Sequence, residues 1–135
     1  MTYRIDELAA SDWPDVAEIY KAGIATGNAT FETRVPSWPE WDAAHFAVCR
    51  LACRRAAGLH GRGLGLALLQ ALVIASEAHG IWTLQASTFP ENGASMAIQE
   101  RCGFRVVGRR DRIAQLAGVW RDTILTERRS HRVGT

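Results

Sequence analysis

The chain has 135 residues, of which 47% are hydrophobic and 22% charged, and its formal net charge is +2. This length suits a single domain, and the apolar fraction excludes an intrinsically disordered chain. The small charge excess argues against a dedicated nucleic-acid binder, for which a clustered basic excess is expected. Fifteen of the sixteen cationic residues are arginine, so we expect arginine side chains or backbone amides to hold any bound anion.

The cysteines and the apolar segments bear on the cellular compartment. Cys49, Cys53 and Cys102 form an odd and sparse set, which favours a reducing cytoplasm over secretion. The first residues lack the apolar core of a signal peptide. The most apolar stretch, residues 64–75, is shorter than the roughly 20 residues that a membrane span needs. We therefore expect a soluble cytoplasmic protein that does not bind membranes.

The first elements in chain order are predicted to be a strand and a helix. Apolar and polar residues alternate over residues 3–8, which favours a strand. Ser11 or Asp12 can cap the helix that follows, and Pro14 lies near its first turn. Residues 28–33 are expected to form a loop or a short strand.

The middle of the chain is predicted to contain a short helix, a strand and a long helix. The second helix begins near Pro36 and runs to about Ala44, and the mostly apolar residues 46–51 favour a strand. Residues 66–79 are apolar on so many faces that this helix must be buried on more than one side. Gly80 ends it.

In the last third of the chain, the residue pattern predicts a strand at 82–87, a turn at 90–93 and a short helix at 94–101. Gly103 ends that helix. Residues 104–113 and 119–127 are predicted to pair as a hairpin. This alternation of strands and helices favours one α/β or α+β domain over residues 1–127. The polar tail 128–135 is expected to be frayed.

A glycine-rich segment directly before the long apolar helix is the most informative feature of the sequence. It reads His60-Gly61-Arg62-Gly63-Leu64-Gly65. Alternating glycines allow a tight turn, and the amides at the start of a helix favour an anion such as a pyrophosphate. The segment is neither a Walker loop nor a dinucleotide fingerprint, because it lacks the Gly-Lys-Ser/Thr sequence and has Leu66 in place of the third glycine. Taken alone, it could also be a turn that binds nothing.

A second segment, Glu91-Asn92-Gly93-Ala94-Ser95 followed by a helix that ends at Gly103-Phe104, gives the glycine-rich loop a context. Together the two segments resemble the GNAT superfamily of acetyl-CoA-dependent N-acetyltransferases, and within it the phosphinothricin/methionine-sulfone type. Residues 28–33 and 119–122 resemble acceptor-side segments of that type. The resemblance implies a mixed, mostly antiparallel sheet flanked by helices.

The resemblance also implies roles for individual residues. It assigns CoA binding to His60, Gly61, Arg62, Gly63, Leu64, Gly65 and Asn92. Phe31, Glu32 and Trp120 are candidates for the acceptor side, and Glu32 is the weak candidate for a catalytic base. Glu32 could equally be a solvated loop residue, and Trp120 could face either the acceptor or a dimer partner. We expect acetyl-CoA as cosubstrate, a small amine as acceptor, a homodimer, and no metal.

The chain departs from the family in three places. His60 stands where the family has Gln or Arg, and Gln99 stands where it has His or Tyr. Glutamine can hydrogen-bond a thiolate but cannot donate a proton to it, so the general acid is left unassigned. The family also places a hairpin before the phosphate loop, and that hairpin supplies the amide that polarises the thioester carbonyl. Only eight residues separate Leu51 from His60, whereas a hairpin needs about 12–15. The sheet should therefore be shortened in its middle.

Two functions follow from the sequence. The first is an N-acetyltransferase that acts on a small amine or amino-acid analogue by direct transfer. The second is a catalytically impaired CoA-binding remnant of that family. A metal site at His45, Cys49 and Cys53 is disfavoured, because residues 46–51 are predicted as a strand and no fourth ligand is evident.

Overall fold

The computed structural model describes residues 3–55 and 63–135. Its helices largely follow the apolar pattern of the sequence, and a short 3-10 turn at Ala10–Asp12 precedes the first of them. Pro14 lies in the first turn of that first helix, as predicted. The helices are α1 (Trp13–Thr26), α2 (Trp38–Ala43), α3 (Leu64–Ala78) and α4 (Gly93–Arg101).

The strands form two antiparallel sheets, in agreement with the predicted mixed α/β fold. β1 pairs with β2 in one sheet, and the order β3-β5-β4 makes up the other. In the second sheet Thr83 lies opposite Arg129 and Thr88 opposite Ile124. The strands are β1 (Tyr3–Glu7), β2 (Leu51–Arg55), β3 (Thr83–Thr88), β4 (Arg105–Leu116) and β5 (Val119–Arg129).

The strand predicted over residues 46–51 is wrong. Residues 47–49 form bends, residues 46 and 50 have no regular secondary structure, and β2 begins only at Leu51. The reason is Arg50, whose side chain is 13% exposed and donates hydrogen bonds to backbone oxygens of Asp42, His45 and Phe46. These bonds wrap the segment around one guanidinium, and the positive φ of 60° at Cys49 is incompatible with a regular strand.

The shortened middle of the sheet is confirmed. Arg55 ends β2 and Leu64 begins α3, so eight residues join them, fewer than a hairpin of two strands requires. Among the described residues, β3 has β5 as its one hydrogen-bonded neighbour and β2 has β1. The two sheets therefore share no ladder hydrogen bonds in the described part of the chain.

The long β4–β5 hairpin turns at Ala117 and Gly118, which both have positive φ, of 51° and 79°. Two such residues define the type I′ turn that matches the twist of paired strands. β5 extends two residues beyond its predicted end at Glu127, and the backbone N–H of the buried Ser130 donates to Trp82 O at 2.7 Å. This sheet carries residues 119–122, which the sequence predicts to lie on the acceptor side.

The core lies where α3 and α4 meet the three-stranded sheet. Val73, Phe89 and Phe104 are its buried apolar residues. Several polar side chains are buried beside them, notably Gln99 and Thr126. Buried polar groups need hydrogen-bond partners, and α4 and β5 provide these for each other.

Candidate functional site

The loop after α1 is tied to β5 by a single arginine. α1 ends at Gly27 in the left-handed conformation, with φ 73°. Arg121 then donates to Gly27 O and to Asn28 Oδ1, each at 2.7 Å. A guanidinium carries several donors in a fixed fork, so one side chain can hold both acceptors. The two segments that the sequence indicated as acceptor-side are therefore in contact.

The Arg121 guanidinium also contacts two residues of the turn before α4. It forms an ion pair with Glu91 at 3.3 Å, and its central carbon lies 4.2 Å from the centre of the Phe89 ring. Phe31 packs edge-on against Phe89, with ring centres 4.7 Å apart. Phe31 is thus held in the wall that supports Arg121, close to the predicted acceptor side.

These segments enclose an open cleft of about 510 Å³, which we call the Trp120 cleft. Such a volume lies within the range that small ligands occupy. Trp120 is one of the residues that line the cleft, and it is 55% exposed. Its principal polar and aromatic lining residues are Asn28, Glu91, Trp120, Arg121 and Asp122.

Asp122 is held by two arginines of the neighbouring strand. The backbone N–H of Arg112 donates to its Oδ1 at 2.7 Å, and the Arg109 guanidinium pairs with its Oδ2. These two interactions, the Arg112 hydrogen bond foremost, lower the pKa of the Asp122 carboxyl from its ordinary value. Asp122, one of the lining residues of the cleft, therefore stays ionised at neutral pH.

Asn92 caps α4 and also reaches the loop after α1. Its Oδ1 accepts from the backbone N–H of Ser95 at 3.2 Å, which is the standard contact of an N-cap. Its Nδ2 donates to Asn28 O at 3.4 Å. Asn92, for which the resemblance implies a contact with CoA, therefore lies between the loop after α1 and the first turn of α4.

Gln99 is 7% exposed and sits in a closed polar network. Its amide nitrogen donates to Thr88 Oγ1 at 2.8 Å and to Ser95 Oγ at 3.2 Å, and its oxygen accepts from Thr126 Oγ1 at 2.6 Å. A glutamine amide carries no titratable proton. Gln99 therefore links α4 to β3 and β5. It cannot act as a general acid that protonates a thiolate leaving group.

A second cavity of about 510 Å³ lies between α3, α4 and β3, and we call it the α3–α4 groove. Gly65, in the first turn of α3, stands along it, and a Cβ on Gly65 would come within 3.1 Å of Ile98 Cδ1. Ser95 and Gln99 add polar groups to the wall. Its apolar lining residues are Leu69, Leu72, Leu84, Ile98 and Phe104.

The glycine-rich loop is described only in its last part. Gly63 is the N-cap of α3 with φ 74°, and Leu64 and Gly65 begin the helix, as the sequence predicts. His60, Gly61 and Arg62 lie outside the described residues. A left-handed glycine at the helix entrance leaves the first amides of α3 pointing outward, where an anion is favoured.

The candidate base, Glu32, stands apart from both cavities. It is exposed, and its backbone N–H donates to Thr30 Oγ1 at 3.0 Å. Glu32 is not among the described residues that line the Trp120 cleft. Sequence reasoning had not singled out Glu91, whose one visible signal is its place directly before the Asn92 cap.

The described residues contain neither a helix that could span a membrane nor a cluster of metal-binding side chains. No helix there is long and apolar enough to cross a bilayer. Across residues 3–55 and 63–135, no three metal-binding side chains gather in one place. The thiol of Cys49 lies 3.6 Å from His79 Nδ1 and forms no cluster with His45 and Cys53.

The fold is that of the GNAT N-acetyltransferases. A crystal structure of a GNAT superfamily phosphinothricin acetyltransferase from Sinorhizobium meliloti, in complex with acetyl-CoA, superposes with a TM-score of 0.79. The alignment covers 99% of this chain and 91% of that one, at 21% identity. A ribosomal-protein-alanine N-acetyltransferase from Brucella melitensis gives a TM-score of 0.76 at 19% identity, over 94% and 99% of the two chains.

Sequence similarity points in the same direction. The chain is 37% identical over 62 residues to an L-methionine sulfoximine/L-methionine sulfone acetyltransferase of Pseudomonas paraeruginosa. That match covers 46% of this chain and 36% of the relative, so it spans little more than a third of that protein. No protein-family model matches the chain. The resemblance inferred from the loop and the Asn92 segment is thus confirmed by named N-acetyltransferases in both comparisons.

Proposed function

We propose that the protein transfers the acetyl group of acetyl-CoA directly to a small primary amine. The observation that carries the proposal is the junction of α3 and α4. The glycine entrance of α3 opens beside the α3–α4 groove, where a Cβ on Gly65 would come within 3.1 Å of Ile98 Cδ1. The likeness to an acetyl-CoA complex of the same fold supports it. A fold alone does not fix an activity, so the chemistry must come from these residues.

The proposed binding of CoA uses backbone more than side chains. The first amides of α3 favour the pyrophosphate, and Asn92 is proposed to contact the arm of CoA. His60, Gly61 and Arg62 keep the CoA-binding role that the resemblance gives them. The apolar walls of the α3–α4 groove suit the less polar part of the cosubstrate. No metal is needed for this reaction.

The proposed transfer is a single displacement. The neutral amine attacks the thioester carbonyl, a C–N bond forms, the C–S bond breaks, and CoA leaves as a thiolate that takes up a proton. The ammonium proton goes to a base or to solvent. Because Gln99 is locked by Thr88, Ser95 and Thr126, the proton on the leaving sulfur comes from water or from another group.

The acceptor side is proposed at the Trp120 cleft, with Phe31 in its supporting wall and Glu32 outside its lining. A homodimer and a cytoplasmic location complete the proposal. Trp120, Val119 and Ile113 are exposed on the β4–β5 hairpin, and such apolar exposure favours association.

A second candidate function is favoured by the short connection between β2 and α3. Eight residues leave no room for the strand whose amide would polarise the carbonyl. Loss of one such donor costs on the order of 10²–10³ in rate. In this case the protein binds acetyl-CoA but transfers its acetyl group slowly or not at all.

One experiment separates the two. Acetyl-CoA is titrated calorimetrically into the full chain, and thiol release is followed with a panel of amines. Binding with amine-dependent thiol release supports the transferase. Binding without turnover supports the remnant, and the absence of acetyl-CoA binding overturns both.

A further inference from the structure

Ser95 is the polar residue of the α3–α4 groove whose hydrogen-bonding capacity is incompletely used. It lies in the first turn of α4, lines the groove and is half-buried. Its Oγ accepts a hydrogen bond from Gln99 Nε2 at 3.2 Å. A serine hydroxyl has a proton to donate as well as lone pairs that accept. The contact with Gln99 therefore leaves the Ser95 proton available.

The amide of Gln99 determines the direction of this hydrogen bond. Gln99 Oε1 accepts from Thr126 Oγ1 at 2.6 Å, so the other end of the amide is the nitrogen. That nitrogen donates to Thr88 Oγ1 at 2.8 Å and to Ser95 Oγ. An amide NH₂ group donates hydrogen bonds and does not accept them. Ser95 can therefore meet Gln99 only as an acceptor, and its own proton must be directed elsewhere.

The backbone of α4 does not take up this proton. A serine hydroxyl inside a helix commonly donates to a carbonyl three or four residues earlier. Ser76 in α3 has that arrangement, because its Oγ donates to Val73 O at 2.7 Å. Among residues 3–55 and 63–135, the Ser95 hydroxyl has Gln99 as its hydrogen-bond partner and donates to no carbonyl. The proton is therefore available to a group that enters the groove.

The walls around Ser95 select the kind of group that can accept this proton. Leu84 and Ala86 lie on the same face of β3 as Thr88, and Gln85 between them points to the opposite face. None of the described residues that line the groove is charged. A charged group would lose its hydration there without a counter-charge. The groove therefore suits a chain of low polarity that carries a carbonyl oxygen.

The geometry points to Ser95 as a residue that fixes the pantetheine arm of acetyl-CoA, its hydroxyl donating to an amide carbonyl oxygen of the arm. This inference rests on the proposed function, in which the first amides of α3 hold the pyrophosphate and the groove receives the arm. The arm is a chain of methylene groups interrupted by amides. It therefore matches an apolar wall that offers a hydroxyl donor.

Two ligands that share the nucleotide and the pyrophosphate but differ in the arm test the inference. One is CoA, and the other is adenosine 3′-phosphate 5′-diphosphate, which is CoA without pantetheine. Each is titrated calorimetrically into the full chain and into its Ser95→Ala variant. We expect Ser95→Ala to weaken CoA binding about fivefold, the effect of one lost hydrogen bond. The affinity for the shorter ligand should stay within about twofold of the parent, because that ligand does not reach Ser95.

Two further variants separate the role of the hydroxyl from a structural effect. Ser95→Thr keeps a hydroxyl and should keep most of the affinity for CoA. Ser87→Ala, an exposed change on β3 outside the groove lining, is the matched control and should bind both ligands as the parent does. Equal weakening of both ligands in Ser95→Ala overturns the inference, as does a loss in Ser95→Thr as large as in Ser95→Ala. Normal CoA binding by Ser95→Ala rejects this inference alone, whereas a parent chain that binds neither ligand rejects the proposed function with it.

Discussion

The side-chain oxygen of Gln99 accepts a hydrogen bond of 2.6 Å from Thr126, so α4 and β5 are joined through their buried faces. The amide nitrogen of Gln99 makes the corresponding link to Thr88 in β3. One side chain thus ties a helix to two strands. This arrangement makes the stability of the domain sensitive to a residue that the family resemblance would place in catalysis.

Replacing Gln99 with Leu should destabilise the protein by about 2–4 kcal/mol. The change leaves the hydroxyls of Thr88 and Thr126 without their buried partner, and each orphaned group costs about 1–3 kcal/mol. Urea unfolding followed by circular dichroism measures the loss. Glu100→Gln, the exposed neighbour on α4, should stay within about 0.5 kcal/mol of the parent. If Gln99→Leu left the free energy of unfolding unchanged, the network would not contribute to stability.

Replacing Gly65 with Val should reduce the affinity for acetyl-CoA at least about tenfold. A side chain there meets Ile98 Cδ1 at 3.1 Å from its first atom and narrows the α3–α4 groove. Calorimetric titration measures the affinity, and the melting temperature shows whether the fold survives. Gly108→Val in β4 is the control, because a Cβ at Gly108 has no neighbour within 4 Å. Unchanged affinity in folded Gly65→Val would remove the groove from the proposed CoA site.

Replacing Arg121 with Lys should cost about 1–3 kcal/mol of stability, although the charge is kept. An ammonium group cannot reproduce the fork that reaches both Gly27 O and Asn28 Oδ1. The same variant should weaken amine binding, because the wall of the Trp120 cleft loosens. Arg105→Lys, whose side chain is 68% exposed, should change stability by less than about 1 kcal/mol. Similar losses in the two variants would argue against a special role for Arg121.

The stabilisation that Asp122 provides should disappear in acid. Its pKa is lowered in the folded protein by the Arg112 amide and the Arg109 guanidinium, so its contribution is present above the unfolded value near 3.8 and is lost as pH falls through the folded value. Melting temperatures of the parent and Asp122→Asn should therefore differ at pH 7 and converge below pH 3.8. In an Arg109→Gln background the difference at pH 7 should shrink but persist, because the Arg112 amide remains. A gap that is constant across this pH range would contradict the assignment.

The elements that local sequence determines were predicted well. α3 and α4 followed from apolar patterning and terminal glycines, and the β4–β5 hairpin followed from its strand pattern. β2 was misplaced because residues 46–50 are organised by Arg50, whose bonds to Asp42 and His45 lie outside any strand pattern. Local periodicity cannot report a contact of that kind.

The residues that line the Trp120 cleft could be predicted from the sequence only in part, for a related reason. Asn28 and Trp120 lay in segments that the sequence indicated, and both line the Trp120 cleft. Glu91 and the contacts of Arg121 depend on side chains from three separate segments meeting in space. Pairing of that kind is set by tertiary packing, so no spacing in the sequence reveals it.

The bond from Arg121 to Gly27 spans 94 residues of chain. Contacts between such distant positions form late in folding, because a large loop must be closed before they stabilise anything. During synthesis, the cleft can therefore assemble only after β5 has emerged, long after α1 and its loop are made. A truncation before Arg121 should leave α3 and α4 in the chain but abolish the Trp120 cleft.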